Sequence, residues 1–122
     1  MQTFVGIIRS EDDLKKGIEH LERLKVAASR AKVDGNRHYN AAWHQTFDMR
    51  NMLIISEAMA RAALVRKESR GAHAREDFPE MDKGHFSKVN VVERASGAAM
   101  TVEEVAHPDP PPEIQKVLEE KE

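Results

Sequence analysis

A chain of 122 residues, 40% hydrophobic and 33% charged, has room for one domain with a modest core and fits a soluble globular class better than disorder. A formal net charge of −2 supplies no global field to recruit nucleic acid, and the absence of cysteine excludes disulfides, thiolate zinc sites, cysteine-ligated iron–sulfur clusters and a cysteine nucleophile. No apolar run approaches the ~20 residues of a membrane span, because Met52 to Val65 is broken by Ser56, Glu57 and Arg61.

The N-terminus lacks the charged-then-apolar pattern of a secretory signal. Phe4, Val5, Ile7 and Ile8 form an apolar cluster over residues 1–9, taken as the first helix although the cluster also suits a strand. Ser10 with Asp13 three residues on resembles a capping box, and Glu11, Asp12 and Asp13 suit the positive end of a helix dipole. The second helix is expected over 11–31, where Leu14, Ile18, Leu21, Leu24, Ala28 and Ala31 recur at steps of three and four. Asp34-Gly35-Asn36 signals a turn.

The third helix is expected over 40–68. Trp43, Phe47, Ile54, Ala58, Ala62 and Val65 fall on one side and Met52, Ile55, Met59 and Ala63 on another, so its second half is apolar around most of its circumference. Such a helix is normally covered on several sides, and this chain supplies cover for about one. Gly71 reads as the helix stop, with Arg66, Lys67 and Arg70 at the negative end of the dipole. Two β-like runs, Ser87 to Val92 and Ala99 to Val105, flank Ser96-Gly97 and predict a hairpin with Val89, Val91 and Val102 turned inward. A proline-stiffened linker and an acidic segment follow, as a short docked helix or a frayed tail. Together these elements predict a mainly α fold: a three-helix, spectrin-repeat-like bundle over 1–70, extended by a loop, β-hairpin and tail over 71–122.

The chemistry-bearing residues concentrate in "RKESRGAHAREDFPEMD", residues 66–82. His73 and Asp77 stand four apart with His85 nearby, but Gly71 and Pro79 favour a loop, and no further metal ligand is convincingly spaced. Ser69, His73 and Asp77 could compose a hydrolase triad on paper; no nucleophile elbow surrounds Ser69. No glycine-rich phosphate cradle is encoded. Arg66, Lys67, Arg70 and Arg75 could bind phosphate or RNA, yet Glu68, Glu76 and Asp77 are interleaved and stacking aromatics are scarce. An ion-pair network fixing a loop is the better physical reading.

Arg66-Lys67-Glu68-Ser69-Arg70-Gly71-Ala72-His73, then Arg75-Glu76-Asp77-Phe78-Pro79, directly after an Ala-rich apolar helix, resembles the C-terminal region of the succinate dehydrogenase/fumarate reductase flavoprotein family. Residues 5–25, "VGIIRSEDDLKKGIEHLERLK", resemble the family's preceding segment, with Val5-Gly6 and Arg9 in the expected order. L-aspartate oxidases end similarly. The resemblance implies a longer parent with FAD-binding and capping domains, interconverting succinate and fumarate and passing electrons to an iron–sulfur subunit on the cytoplasmic face of the membrane. It assigns no catalytic, cofactor-binding or metal-ligating residue to this chain; FAD belongs to the parent. Arg66, Glu68, Arg70, His73, Arg75 and Asp77 are implied to form a structural and interdomain element. The alternative is a free-standing helical interaction module whose apolar helix is covered by self-association.

Overall fold

The computed structural model describes residues 2–36, 38–96 and 99–119. Its order is β1 (Ile8–Arg9), α1 (Glu11–Ser29), α2 (Ala41–Val65), β2 (Ala74–Arg75), β3 (Val89–Ser96), β4 (Ala99–Ala106) and α3 (Pro112–Glu119).

Helix α1 starts where Ser10, in extended backbone, accepts from the Asp13 N–H at 3.2 Å. The Ser10 hydroxyl donates in turn to the Asp13 carboxylate at 3.0 Å, so Asp13 answers the serine side chain in place of the Ser10 N–H that a full capping box would engage. The helix ends at Ser29, two residues short of expectation, where the Arg30 N–H turns back onto the carbonyls of Ala27 and Ala28. Gly35 then takes φ +95 in the anticipated turn. Asn40 locks that turn: its amide donates to Asp34 O and Asn36 O at 3.0 Å, while its side-chain oxygen caps α2 at the Trp43 N–H.

The ion pairs Glu22–Arg61 and Lys25–Glu57 run in opposite order along the two helices, so α1 and α2 are antiparallel. Between them lies the core of Val5, Leu14, Ile18, Leu21, Ala60 and Ala63, with Phe4, Leu53 and Leu64 against it. Leu14 is fully buried, a contribution of ~1.5–3 kcal/mol for such a side chain. Most of the predicted α1 stripe faces inward; Leu24, at the same spacing, is exposed.

Residues 2–7 are turns and bends followed by β1, which corrects the helix expected over 1–9. The cause is a close crossing. Gly17 on α1 is buried, and a Cβ there would stand 3.0 Å from Val5 and 3.1 Å from Phe4. The N-terminal segment therefore lies directly on the helix, and its polar backbone goes to a partner far away in sequence. Strand β1 pairs in parallel with β2, Ile8 with Ala74 and Arg9 with Arg75.

The fold is thus mainly helical with a small antiparallel hairpin near its C-terminus, and its third helix is α3 in the tail. The hairpin pairs Val89 with Ala106 through Ser96 with Ala99, running longer on β3 than the predicted 87–92, and it leans on α2. Val89, Val91 and Val102 are half-buried. The turn residue Gly97 and the end of the acidic tail, residues 120–122, lie outside the described residues.

Candidate functional site

Helix α2 stops at Val65, three residues before the expected end and well before Gly71. Arg66 leaves the helix at ψ +98, and the chain dives so that Glu68 becomes fully buried. Gly71 serves a tighter purpose. It takes φ +59 in a turn where Arg70 and His73 exchange both backbone hydrogen bonds, at 2.8 and 3.0 Å.

That turn brings all six motif side chains together. The buried Glu68 carboxylate accepts from Arg66, from Arg70 Nε at 2.9 Å and Nη2 at 3.1 Å, and from the Asp82 N–H at 2.9 Å. Burial raises its pKa, but these hydrogen bonds outweigh burial and hold it below the usual glutamate value. Arg70 also donates to Asp82 O at 3.1 Å, tying the loop after Pro79 to the turn.

Arg75, 1% exposed, is the pivot. Its Nε and Nη2 form a two-pronged pair with Asp77 at 2.7 and 2.6 Å. Its Nη1 donates to Ala63 O at 2.8 Å and more weakly to Leu64 O and Arg66 O at 3.4 Å, so it caps the C-terminus of α2. Asp77 in turn accepts from the Glu11 N–H at 3.0 Å, at the first residue of α1. One Arg–Asp pair thus places a cation on the negative end of α2 and an anion on the positive end of α1. The Arg75 hydrogen bonds hold the Asp77 carboxyl down at about 2.

His73 bridges Arg9 and Arg66. Arg9 Nη1 donates to His73 Nδ1 at 2.7 Å, so the imidazole is the Nε2–H tautomer, and Nε2 donates to Arg66 O at 3.0 Å. Burial lowers its pKa, and the nearby guanidiniums of Arg9, Arg75 and Arg66 push the same way.

The arrangement is a clamp. Ser69, His73 and Asp77 do not act on one another: the Ser69 hydroxyl accepts from the Arg75 N–H and donates to Phe78 O, both at 2.8 Å. Both ring nitrogens of His73 are engaged, and among the described residues no three His, Asp or Glu side chains gather around one point. Sequence reasoning singled out the six motif residues but missed two parts of the clamp. Asp82 contributes only its backbone, which leaves no compositional trace. Arg9 arrives through the β1–β2 pairing, which spans 66 positions and has no local periodicity.

A second buried carboxylate, Glu57, sits between α1 and α2 with Lys25 Nζ at 2.5 Å and Arg61 Nε at 2.8 Å. Burial raises its pKa, and the two cations bring it below the usual value. The outer side of α2 has no such cover. Met52 (60% exposed), Ile55 (60%) and Met59 (49%) form a stripe that continues through Ala62 to Arg66.

A family model described as "Fumarate reductase flavoprotein C-term" matches residues 1–117. The chain is 41% identical over 80 residues to an FAD-dependent oxidoreductase of Methanocaldococcus jannaschii, covering 66% of this chain and 14% of the relative. It is 38% identical over 87 residues to the succinate dehydrogenase flavoprotein subunit of Coxiella burnetii, covering 70% of this chain and 15% of that one. Among solved structures, a chain of the Mycobacterium smegmatis Sdh1 complex in its apo form superposes with a TM-score of 0.85 at 39% identity, over 90% of this chain and 19% of that chain. The chain therefore spans about a seventh of the length of the curated relatives it matches.

Proposed function

Because the chain belongs to the family of C-terminal domains of fumarate reductase and succinate dehydrogenase flavoproteins, we propose that it is the supporting lobe of an enzyme interconverting succinate and fumarate. In this reading the flavin and the dicarboxylate are held by the preceding FAD-binding and capping domains. Electrons leave to an iron–sulfur subunit, and the assembly sits peripherally on the cytoplasmic face of a membrane. No described helix is long and apolar enough to cross a membrane.

The observation that carries the proposal is the direction in which the motif's chemistry points. Arg75 and Asp77 are spent on the chain's own helix ends and Glu68 on the chain's own arginines and the Asp82 N–H, while the α2 stripe is left uncovered. These residues do not fit a flavin dinucleotide. The start of α1, where backbone N–H groups could cradle a pyrophosphate, already holds the Asp77 carboxylate and carries Glu11, Asp12 and Asp13. The experiment is to purify the 122-residue chain and measure flavin absorbance and succinate turnover. The reading expects neither; bound FAD with dicarboxylate turnover overturns it.

A further inference from the structure

Four guanidiniums meet at the clamp, from Arg9, Arg66, Arg70 and Arg75, and two carboxylates answer them. Glu68 serves Arg66 and Arg70, and Asp77 serves Arg75. Arg9 has no carboxylate within 4 Å among the described residues; its bonds go to neutral acceptors, Gly6 O at 2.5 Å and His73 Nδ1 at 2.7 Å. An arginine held in a fixed pose by two neutral acceptors retains donors for a bidentate acceptor. Its surroundings make such an acceptor favourable. Arg75 is close enough to act on Arg9, and both act with Arg66 on His73, so the corner is cationic and partly desolvated.

The corner is also open. A groove of about 330 Å³ is lined by Arg9, Arg66, His73, Met59, Ala62 and Val91. The exposed stripe of Met52, Ile55 and Met59 runs straight into it along α2. The face is therefore an apolar strip ending in one uncompensated, positioned cation.

We propose that Arg9 is the docking point for an Asp or Glu side chain of the flavin-bearing remainder of the parent chain, with apolar side chains beside that carboxylate covering the Met52–Ile55–Met59 stripe. This rests on the parent-enzyme reading. The charge imbalance selects an anion over an apolar or basic occupant. The remainder of the chain is the occupant because the match leaves about four-fifths of the solved Sdh1 chain outside it. The carboxylate gives Arg9 the anionic partner it lacks within this chain, and the apolar contacts supply most of the area.

The test is cross-linking in the full-length flavoprotein carrying Arg9→Lys, with a zero-length carbodiimide that joins an amine to a carboxylate in contact with it. Digestion and mass spectrometry are expected to find a peptide joining position 9 to an Asp or Glu outside these 122 residues. The native pair Lys25–Glu57, at 2.5 Å, is the internal control. A control link with none at position 9 overturns the proposal, as does a link to an acid of this domain. A link to a second copy, identified by mixing isotope-labelled and unlabelled protein, also overturns it. Should Arg9→Lys fail to fold, the wild-type protein answers: Arg9 should react with an arginine-specific dicarbonyl several-fold more slowly in the full-length flavoprotein than in the 122-residue chain, and equal rates overturn the docking. Failure of the parent-enzyme reading is read separately, as a full-length protein without flavin or succinate turnover.

Discussion

At the residue scale, stability turns on side chains that are charged and buried at once. Arg75→Leu removes the cap of α2 and leaves Asp77 facing α1 without its cation, so the chain should lose about 3–5 kcal/mol, the usual cost of breaking a buried pair from one side. Urea unfolding of the variant against the wild type reads this directly, and a loss below about 1 kcal/mol would place Arg75 among ordinary surface pairs. The same groups set the pH dependence. His73 is neutral in the fold with a pKa below its ordinary 6.5, so its contribution is complete above that value and declines as pH falls. Asp77, at about 2 in the fold against 3.8 ordinarily, contributes above about 4 and is lost as pH falls toward 2, with Glu68 and Glu57 acting in the same direction. Stability should therefore fall in two stages on acidification, and His73→Gln should remove the stage that sets in as pH falls below 6.5 while leaving the lower one. Urea midpoints across both stages check it; an unchanged upper stage in the variant would contradict the assignment.

At the element scale, α1 and α2 were legible because amphipathic spacing and caps are local. Leu14, Ile18 and Leu21 stand at helical steps, and Ser10 and Asn40 sit where the helices begin. The hairpin was legible from its β-branched runs and the glycine between them, although its register was not. The first segment was misread because Phe4, Val5, Ile7 and Ile8 suit a helix equally well. What decides is a surface the local sequence does not show, the flat spot at Gly17 and the free edge at β2. The clamp was half legible: residue types named an ion network, while burial of Glu68 and recruitment of Arg9 depended on tertiary pairing. The crossing at Gly17 makes its own prediction. Gly17→Val puts methyl groups where Val5 and Phe4 already stand, and should destabilise the chain by about 1–3 kcal/mol despite valine's better helix propensity. A thermal melt in which the variant matches or exceeds the wild type would show that the N-terminal segment can move aside without loss.

At the scale of the whole molecule, the chain holds itself together at one end and leaves an apolar face open along α2. Internal ion pairs fix α1 to α2 at Glu57 and the termini of both helices at Arg75 and Asp77, so the stripe of Met52, Ile55 and Met59 is presented on a rigid support. The proposed supporting role would use that face against a neighbouring domain, and the chain spans about a seventh of its curated relatives. The most direct measurement compares the full-length flavoprotein with a version lacking these 122 residues, recording bound FAD and succinate oxidation after a mild thermal challenge. The supporting role predicts that the shortened protein loses flavin and activity under conditions the full-length protein survives. Equal retention of both by the shortened protein would contradict it.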